Sequence, residues 1–204
     1  MPTSAVRHWE QVYRARASDE VSWFQAEPAT SLRLITSAGV PTGGVLDVGA
    51  GSSSLVDALL RQGFADVTVL DVSEAALQVV KARLGAAATQ VSFVQADLLD
   101  WEPGRTFAVW HDRAVFHFLT TRAARESYVR LVDTCVLPGG TVVIATFAPD
   151  GPTHCSGLPV CRYDAAALAA ELGAGFELVH SEREEHTTPS GAVQPFVWVV
   201  LRRR

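Results

Sequence analysis

Five stretches of nearly unbroken aliphatic and β-branched side chains, at 45–48, 66–70, 91–95, 107–110 and 140–146, are each bounded by Gly, Pro or Asp. A strand without polar alternation has to be covered on both faces, the condition found inside a parallel sheet. Between these stretches, apolar positions recur at helical spacing over 53–62, 74–84 and 122–137, and Ser73 stands where it would cap the second helix. Strands alternating with helices predict a doubly wound, mostly parallel α/β sheet. Beyond Gly151 the rhythm changes to a loop rich in Pro, Gly and Cys, a helix over 164–172, and two more runs at 176–181 and 196–201. The polar residues Thr187, Thr188, Pro189, Ser190 and Gly191 between those runs predict a closing antiparallel hairpin.

Ahead of the sheet, Val6, Trp9, Val12, Tyr13 and Arg16 follow a helical period, and Pro28 opens a second amphipathic stretch that runs to Ser37. The connector between them holds Trp23 and Phe24. Two large aromatics in a loop need cover, which leaves two readings open: docking of the N-terminal helices on the sheet, or a lid over a bound molecule. A chain of 204 residues with 48% hydrophobic content reads as a single domain. Its formal net charge of -5 argues against a nucleic-acid partner, because no basic field is available to displace counterions from a phosphate backbone. Residues 1–11 lack the apolar core of a signal peptide, and no apolar run is long enough to span a bilayer, so the expectation is a soluble cytoplasmic protein without membrane contact. Three cysteines cannot complete a disulfide framework, and reduced thiols are the default.

The run from Val45 to Ser54 carries the first chemistry: a buried strand ends in the turn Gly49, Ala50, Gly51 and opens a helix. Glycine there allows a ligand close to the backbone. Asp71 ends the next strand about 20 residues on, where an acid accepts hydrogen bonds from the two hydroxyls of a ribose. An adenosine ligand follows, and an NAD-dependent oxidoreductase satisfies this much. Asp47, however, would repel a pyrophosphate on the loop, and Ser54 stands where a dinucleotide site has its third glycine. A ligand with an ammonium and a sulfonium group would be attracted instead. Asp97 ends the third strand, so three acids terminate three successive strands.

The loop Asp47-Val48-Gly49-Ala50-Gly51, the segments Leu70-Asp71-Val72-Ser73 and Gln95-Ala96-Asp97, and the turn Leu137-Pro138-Gly139-Gly140 together resemble the class I S-adenosylmethionine-dependent methyltransferases. The resemblance implies a Rossmann-like sheet of seven strands with the last inserted antiparallel, and S-adenosylmethionine bound over the strand ends. Carried over, Asp47, Gly49, Ala50 and Gly51 would line the methionine part, Asp71 with Val72 and Ser73 the ribose, and Asp97 with Leu98 the adenine. Residues 1–40 would then form a helical lid, 41–150 the cofactor-binding core, and 151–204 an acceptor loop, helix and closing hairpin.

Methyl transfer is an in-line displacement that needs a general base only where the acceptor carries a proton at working pH. The end of the fourth strand holds His111, Asp112, Arg113 and His117, and fold analogy places this segment beside the methyl group. His117 is the preferred base from its ordinary pKa, with Asp112 and Arg113 as further catalytic candidates. Each has a plainer reading: Asp112 and Arg113 pair with one another or with a helix end, and His117 is a core residue between two phenylalanines. The loop over 147–163, long for a structureless connector, supplies His154 and Tyr163 to a substrate wall completed by Trp23 and Phe24. Cys155 and Cys161 fall outside short zinc-knuckle spacing, so no metal is expected. With Cys135 they also invite comparison with methyltransferases acting on arsenite-like elements. A small-molecule acceptor is the first expectation, a protein lysine side chain the second, and an adenosylmethionine-binding module without transfer a third. The charge runs at 182–186 and 202–204 read as solvated surface.

Overall fold

A computed structural model describes residues 4–37 and 43–204. The expected boundary between lid and core at 40/41 therefore lies outside the described residues. Helices α1 (Ser4–Ala15) and α2 (Ala29–Ser37) precede β1 (Val45–Val48), α3 (Leu55–Arg61), β2 (Val67–Asp71), α4 (Glu74–Leu84) and β3 (Val91–Gln95). Then come β4 (Phe107–Arg113), α5 (Arg122–Cys135), β5 (Val136–Phe147), the short β6 (His154–Cys155) and β7 (Leu158–Pro159), α6 (Ala165–Leu172), β8 (Phe176–Thr187) and β9 (Val193–Arg203). Seven strands form one sheet in the order β3-β2-β1-β4-β5-β9-β8, with β9 antiparallel to both of its neighbours. This is the Rossmann-like order 3-2-1-4-5-7-6 with an antiparallel seventh strand. The order reverses between β1 and β4, which opens a crevice at their carboxyl ends.

Each face of the sheet has its own core. Leu34 and Ile35 of α2, Leu59 of α3 and Val80 of α4 pack with Val45, Val69 and Val143 on one side. Tyr128 and Val132 of α5 and Leu168 of α6 pack with Leu46, Trp110 and Ile144 on the other. Burying these side chains on both faces is what the uninterrupted apolar strands require. Ser73 caps α4, its hydroxyl accepting from the Ala76 amide at 3.2 Å. Asp164 caps α6 in the same way, at 2.8 Å from the Ala167 amide.

The structure departs from the pattern in four places. Helix α5 stops at Cys135, because Val136 already pairs with Phe107; the strand then bulges through Gly139, at a φ of 74°, and resumes register with Thr141 opposite Val109. The connector over 147–163 is not structureless: β6 and β7 form a hairpin through Ser156 and Gly157, at φ values of 49° and 78°. Strand β8 runs six residues past its expected end, to Thr187, leaving a turn of Thr188 to Ala192. Within that extension the run 182–186 is not wholly solvated. Glu182, Glu184 and His186 alternate with exposed Arg183 and Glu185, and the inward three meet the N-terminal segment.

Candidate active site

The crevice is covered. Glu10 of α1 reaches the start of α4, where its Oε2 accepts from the Ser73 hydroxyl at 2.8 Å and the Ala75 amide at 3.1 Å. Trp9 of α1 meets Trp23 of the connector at 5.7 Å between centroids and Phe118 at 5.2 Å, both edge to face. Beneath this cover lies a cavity of about 370 Å³, within the size range of small-ligand sites. One end is made by Gly49, Asp71, Val72, Asp97 and Leu98; the other by Trp9, Tyr13, Trp23, Arg113, Phe118 and Cys155. A smaller space beside it is bordered by Asp47, Gly49, Ala50, Ser52, Ser53, Phe24 and His111.

Asp71 sits at the junction of strand, glycine turn and helix. Its Oδ2 accepts from the Gly51 amide at 2.7 Å and its Oδ1 from the Ser73 amide at 2.8 Å. Burial pushes its pKa up to about 6, against the pull of those amides, and the charge of Asp47 adds to the rise. Asp47 is itself buried, with Oδ1 at 2.7 Å from His111 Nδ1, whose Nε2 lies 3.0 Å from the Ser31 hydroxyl of α2. Ser31 was no part of the sequence reading, since one serine on an amphipathic helix carries no signal of its own. It ties that helix to the strand end.

The glycines serve the protein's own packing first. A Cβ on Gly49 would stand 2.1 Å from Val115 Cγ2, and one on Gly51 would stand 2.1 Å from the Tyr13 hydroxyl, with φ values of 59° and 55°. Both turns therefore need glycine before any ligand arrives.

Beyond β4 the four candidates divide between the two faces of the strand. Asp112 points away from the cavity, where its Oδ1 accepts from the Val115 amide at 2.8 Å and its Oδ2 from the Tyr128 hydroxyl at 2.7 Å. Burial raises it to about 6. It holds the turn that carries Ala114, at a φ of 69°, and Val115 to the cavity floor, so its place is structural support and it does not meet the cavity. His117 is fully buried, packed between Phe118, edge to face, and Phe147 at 4.5 and 4.8 Å between centroids, and neither ring nitrogen has a partner among the described residues. Burial and the Arg113 charge push it down to about 3, and it is not part of the cavity wall. Off the cavity wall, and far too weakly basic to hold a proton at working pH, His117 is poorly placed for the base role expected of it.

Arg113 does reach the cavity. Its Nη1 donates to the Trp23 carbonyl at 3.0 Å, and the guanidinium lies 4.8 Å over the Phe196 ring. Of the substrate wall, Trp23 lines the main cavity and Phe24 the smaller one. His154 is exposed beside the Thr153 hydroxyl, and Tyr163 packs against Phe116 in the opposite core; the hairpin brings Cys155, Leu158 and Pro159 to the wall in their stead. Cys155 belongs to one core, Cys135 and Cys161 to the other, and among the described residues no three His, Cys, Asp or Glu side chains are grouped to hold a metal ion. Burial raises the Cys135 thiol to about 12 and that of Cys155 to about 11.

Residues 45–140 match the family of methyltransferase domains. Residues 45–140 carry a class I S-adenosylmethionine-dependent methyltransferase domain. This methyltransferase is 28% identical over 140 residues to the mouse (Mus musculus) eEF1A lysine and N-terminal methyltransferase, an alignment covering 67% of this chain and 19% of that protein. The chain thus spans about a fifth of that curated relative's length. In fold it is similar to the N-methyltransferase NodS of Bradyrhizobium japonicum in complex with S-adenosylhomocysteine, with a TM-score of 0.74, 14% identity, and 96% and 98% of the two chains covered. The 1,6-didemethyltoxoflavin-N1-methyltransferase of Burkholderia thailandensis gives a TM-score of 0.70 at 23% identity, covering 98% and 84%. The methyltransferase's own residues fit the donor: an acid buried at the end of β2, a second acid at Asp97, and a continuous cavity between them and the aromatic wall. The same family match removes the ground for the NAD-dependent alternative.

Proposed function

We propose that the chain transfers a methyl group from S-adenosylmethionine to a small-molecule acceptor enclosed beneath the N-terminal helices. The observation that carries this reading is the single cavity with Asp71 and Asp97 at one end and Trp9, Tyr13, Trp23 and Phe118 at the other. S-adenosylmethionine supplies an activated methyl group. Asp71 and Val72 hold the ribose, Asp97 and Leu98 the adenine, and Asp47 with the turn of Gly49, Ala50 and Gly51 the amino-acid end. The cover formed by α1 and the connector carrying Trp23, together with the β6–β7 hairpin, limits water and fixes the acceptor in line with the donor. Orientation of this kind contributes about 7 to 11 kcal/mol to a bimolecular transfer.

A small acceptor is favoured over a protein side chain because the aromatic end is a compact pocket, walled by the connector carrying Trp23 and the hairpin carrying Leu158. The test uses methyl-labelled S-adenosylmethionine with a cell extract divided by ultrafiltration. Label entering the small-molecule fraction is the expected result. Label entering only the macromolecular fraction would assign a protein acceptor, and no transfer to either fraction despite S-adenosylhomocysteine binding would leave a binding module.

A further inference from the structure

Among the described residues, Arg113 is the one cationic side chain on the cavity wall, and its hydrogen bonding is incomplete. A guanidinium offers five N–H donors. Here Nη1 serves the Trp23 carbonyl, while Nε and Nη2 are buried without a partner among the described residues. The acid whose charge bears on it, Glu184, already accepts from Gln25, Thr30 and the Trp198 indole at 3.1, 3.1 and 2.8 Å. Below lies the Phe196 ring, which attracts the charge but supplies no acceptor. A buried cation with donors left over is costly to keep and calls for an anion of fork-like shape. The connector at Trp23 and the hairpin at Cys155 line the same cavity beside it.

We propose that Arg113 is a binding residue for a carboxylate of a molecule held in this cavity, the carboxylate docking on the guanidinium. This rests on the reading of the cavity as a methyltransferase site. The carboxylate has two possible sources: the acceptor, or the amino-acid end of the donor, since Arg113 borders both the main cavity and the smaller space beside the glycine turn. Carboxylate recognition is common to both.

Calorimetry on the wild type, Arg113→Gln and Arg113→Lys decides it, with tryptophan fluorescence confirming the fold. One arm titrates benzoate and its neutral isostere benzamide, with and without saturating S-adenosylhomocysteine. The other titrates S-adenosylhomocysteine and 5′-methylthioadenosine, which lacks the amino-acid end. If the acceptor is the source, the wild type prefers benzoate over benzamide by about tenfold or more, and R113Q abolishes the preference. If the donor is the source, R113Q weakens S-adenosylhomocysteine about tenfold or more and leaves 5′-methylthioadenosine unchanged. R113K, which keeps charge but loses the fork, falls between, and it judges the proposal if R113Q does not fold. Unchanged affinities in both arms overturn the proposal. Failure of the wild type to bind S-adenosylhomocysteine would overturn the methyltransferase reading instead, and the benzoate titration without it would still judge Arg113.

Discussion

Replacing Gly51 with Ala tests how tightly the lid is seated on the glycine turn. Two effects add. Gly51 has a φ of 55°, and holding an alanine in the left-handed region costs about 1 to 2 kcal/mol. The new methyl would also stand 2.1 Å from the Tyr13 hydroxyl, which is backed by Trp23 at 6.1 Å between ring centroids, so α1 has to yield. Overpacking of this kind costs about 1 to 3 kcal/mol. Tyr13→Phe removes the offending oxygen and leaves the ring carbon Cζ at 3.0 Å as the nearest atom, so only the second effect is relieved. The expected outcome in urea unfolding, followed by tryptophan fluorescence, is a loss of about 2 to 5 kcal/mol for G51A and a positive coupling of about 1 to 2 kcal/mol in the double variant. Additivity of the two substitutions within about 0.5 kcal/mol would refute the claim that the hydroxyl seats against the turn.

Three further outcomes follow from buried groups. Asp71, pushed up to about 6 from its ordinary 3.8, binds a proton in the folded state that the unfolded chain has released; stability therefore declines as pH rises across that interval, with the loss complete above it, and Asp112 adds the same sign. Ribose hydroxyls need the ionised acid, so S-adenosylhomocysteine binding measured by calorimetry weakens as pH falls through about 6; an affinity flat across that range in the wild type counts against Asp71 as the ribose ligand. For His117→Leu, deleting two unpartnered ring nitrogens leaves stability unchanged or higher by about 1 kcal/mol and turnover intact, whereas a hundredfold loss of rate, about the contribution of a general base, would restore it as the proton acceptor.

The sheet was legible because its first five strands lie between two helical layers and show almost no polar position. Asp47, Asp71 and Asp97 were legible for a related reason: acids that end apolar strands stand out against their neighbours. What stayed hidden was direction. Asp112 and Arg113 are adjacent in sequence and point to opposite faces of β4, one into a hydrogen-bonded support and one into the cavity. His117 has the ordinary properties of a base in sequence, and only the Phe118 and Phe147 rings around it remove them. The alternation of Glu182, Glu184 and His186 was visible as letters, yet a charged residue facing inward makes sense only once its partners are known. Those partners, Gln25, Thr30, Arg33 and the Ser22 carbonyl, lie some 150 residues earlier.

That separation has a bearing on how the molecule assembles. The connector and α2 fasten to β8 and, through Glu184, to Trp198 of β9, whereas β1 to β5 pair with one another in strands complete by Phe147, β5 alone pairing with β9 as well. On a ribosome, the early-made segment with Trp23 in it gains the last of its partners only when the late-made hairpin arrives. The parallel strands are thus built before their roof, and the roof is the part most exposed to chaperones during synthesis.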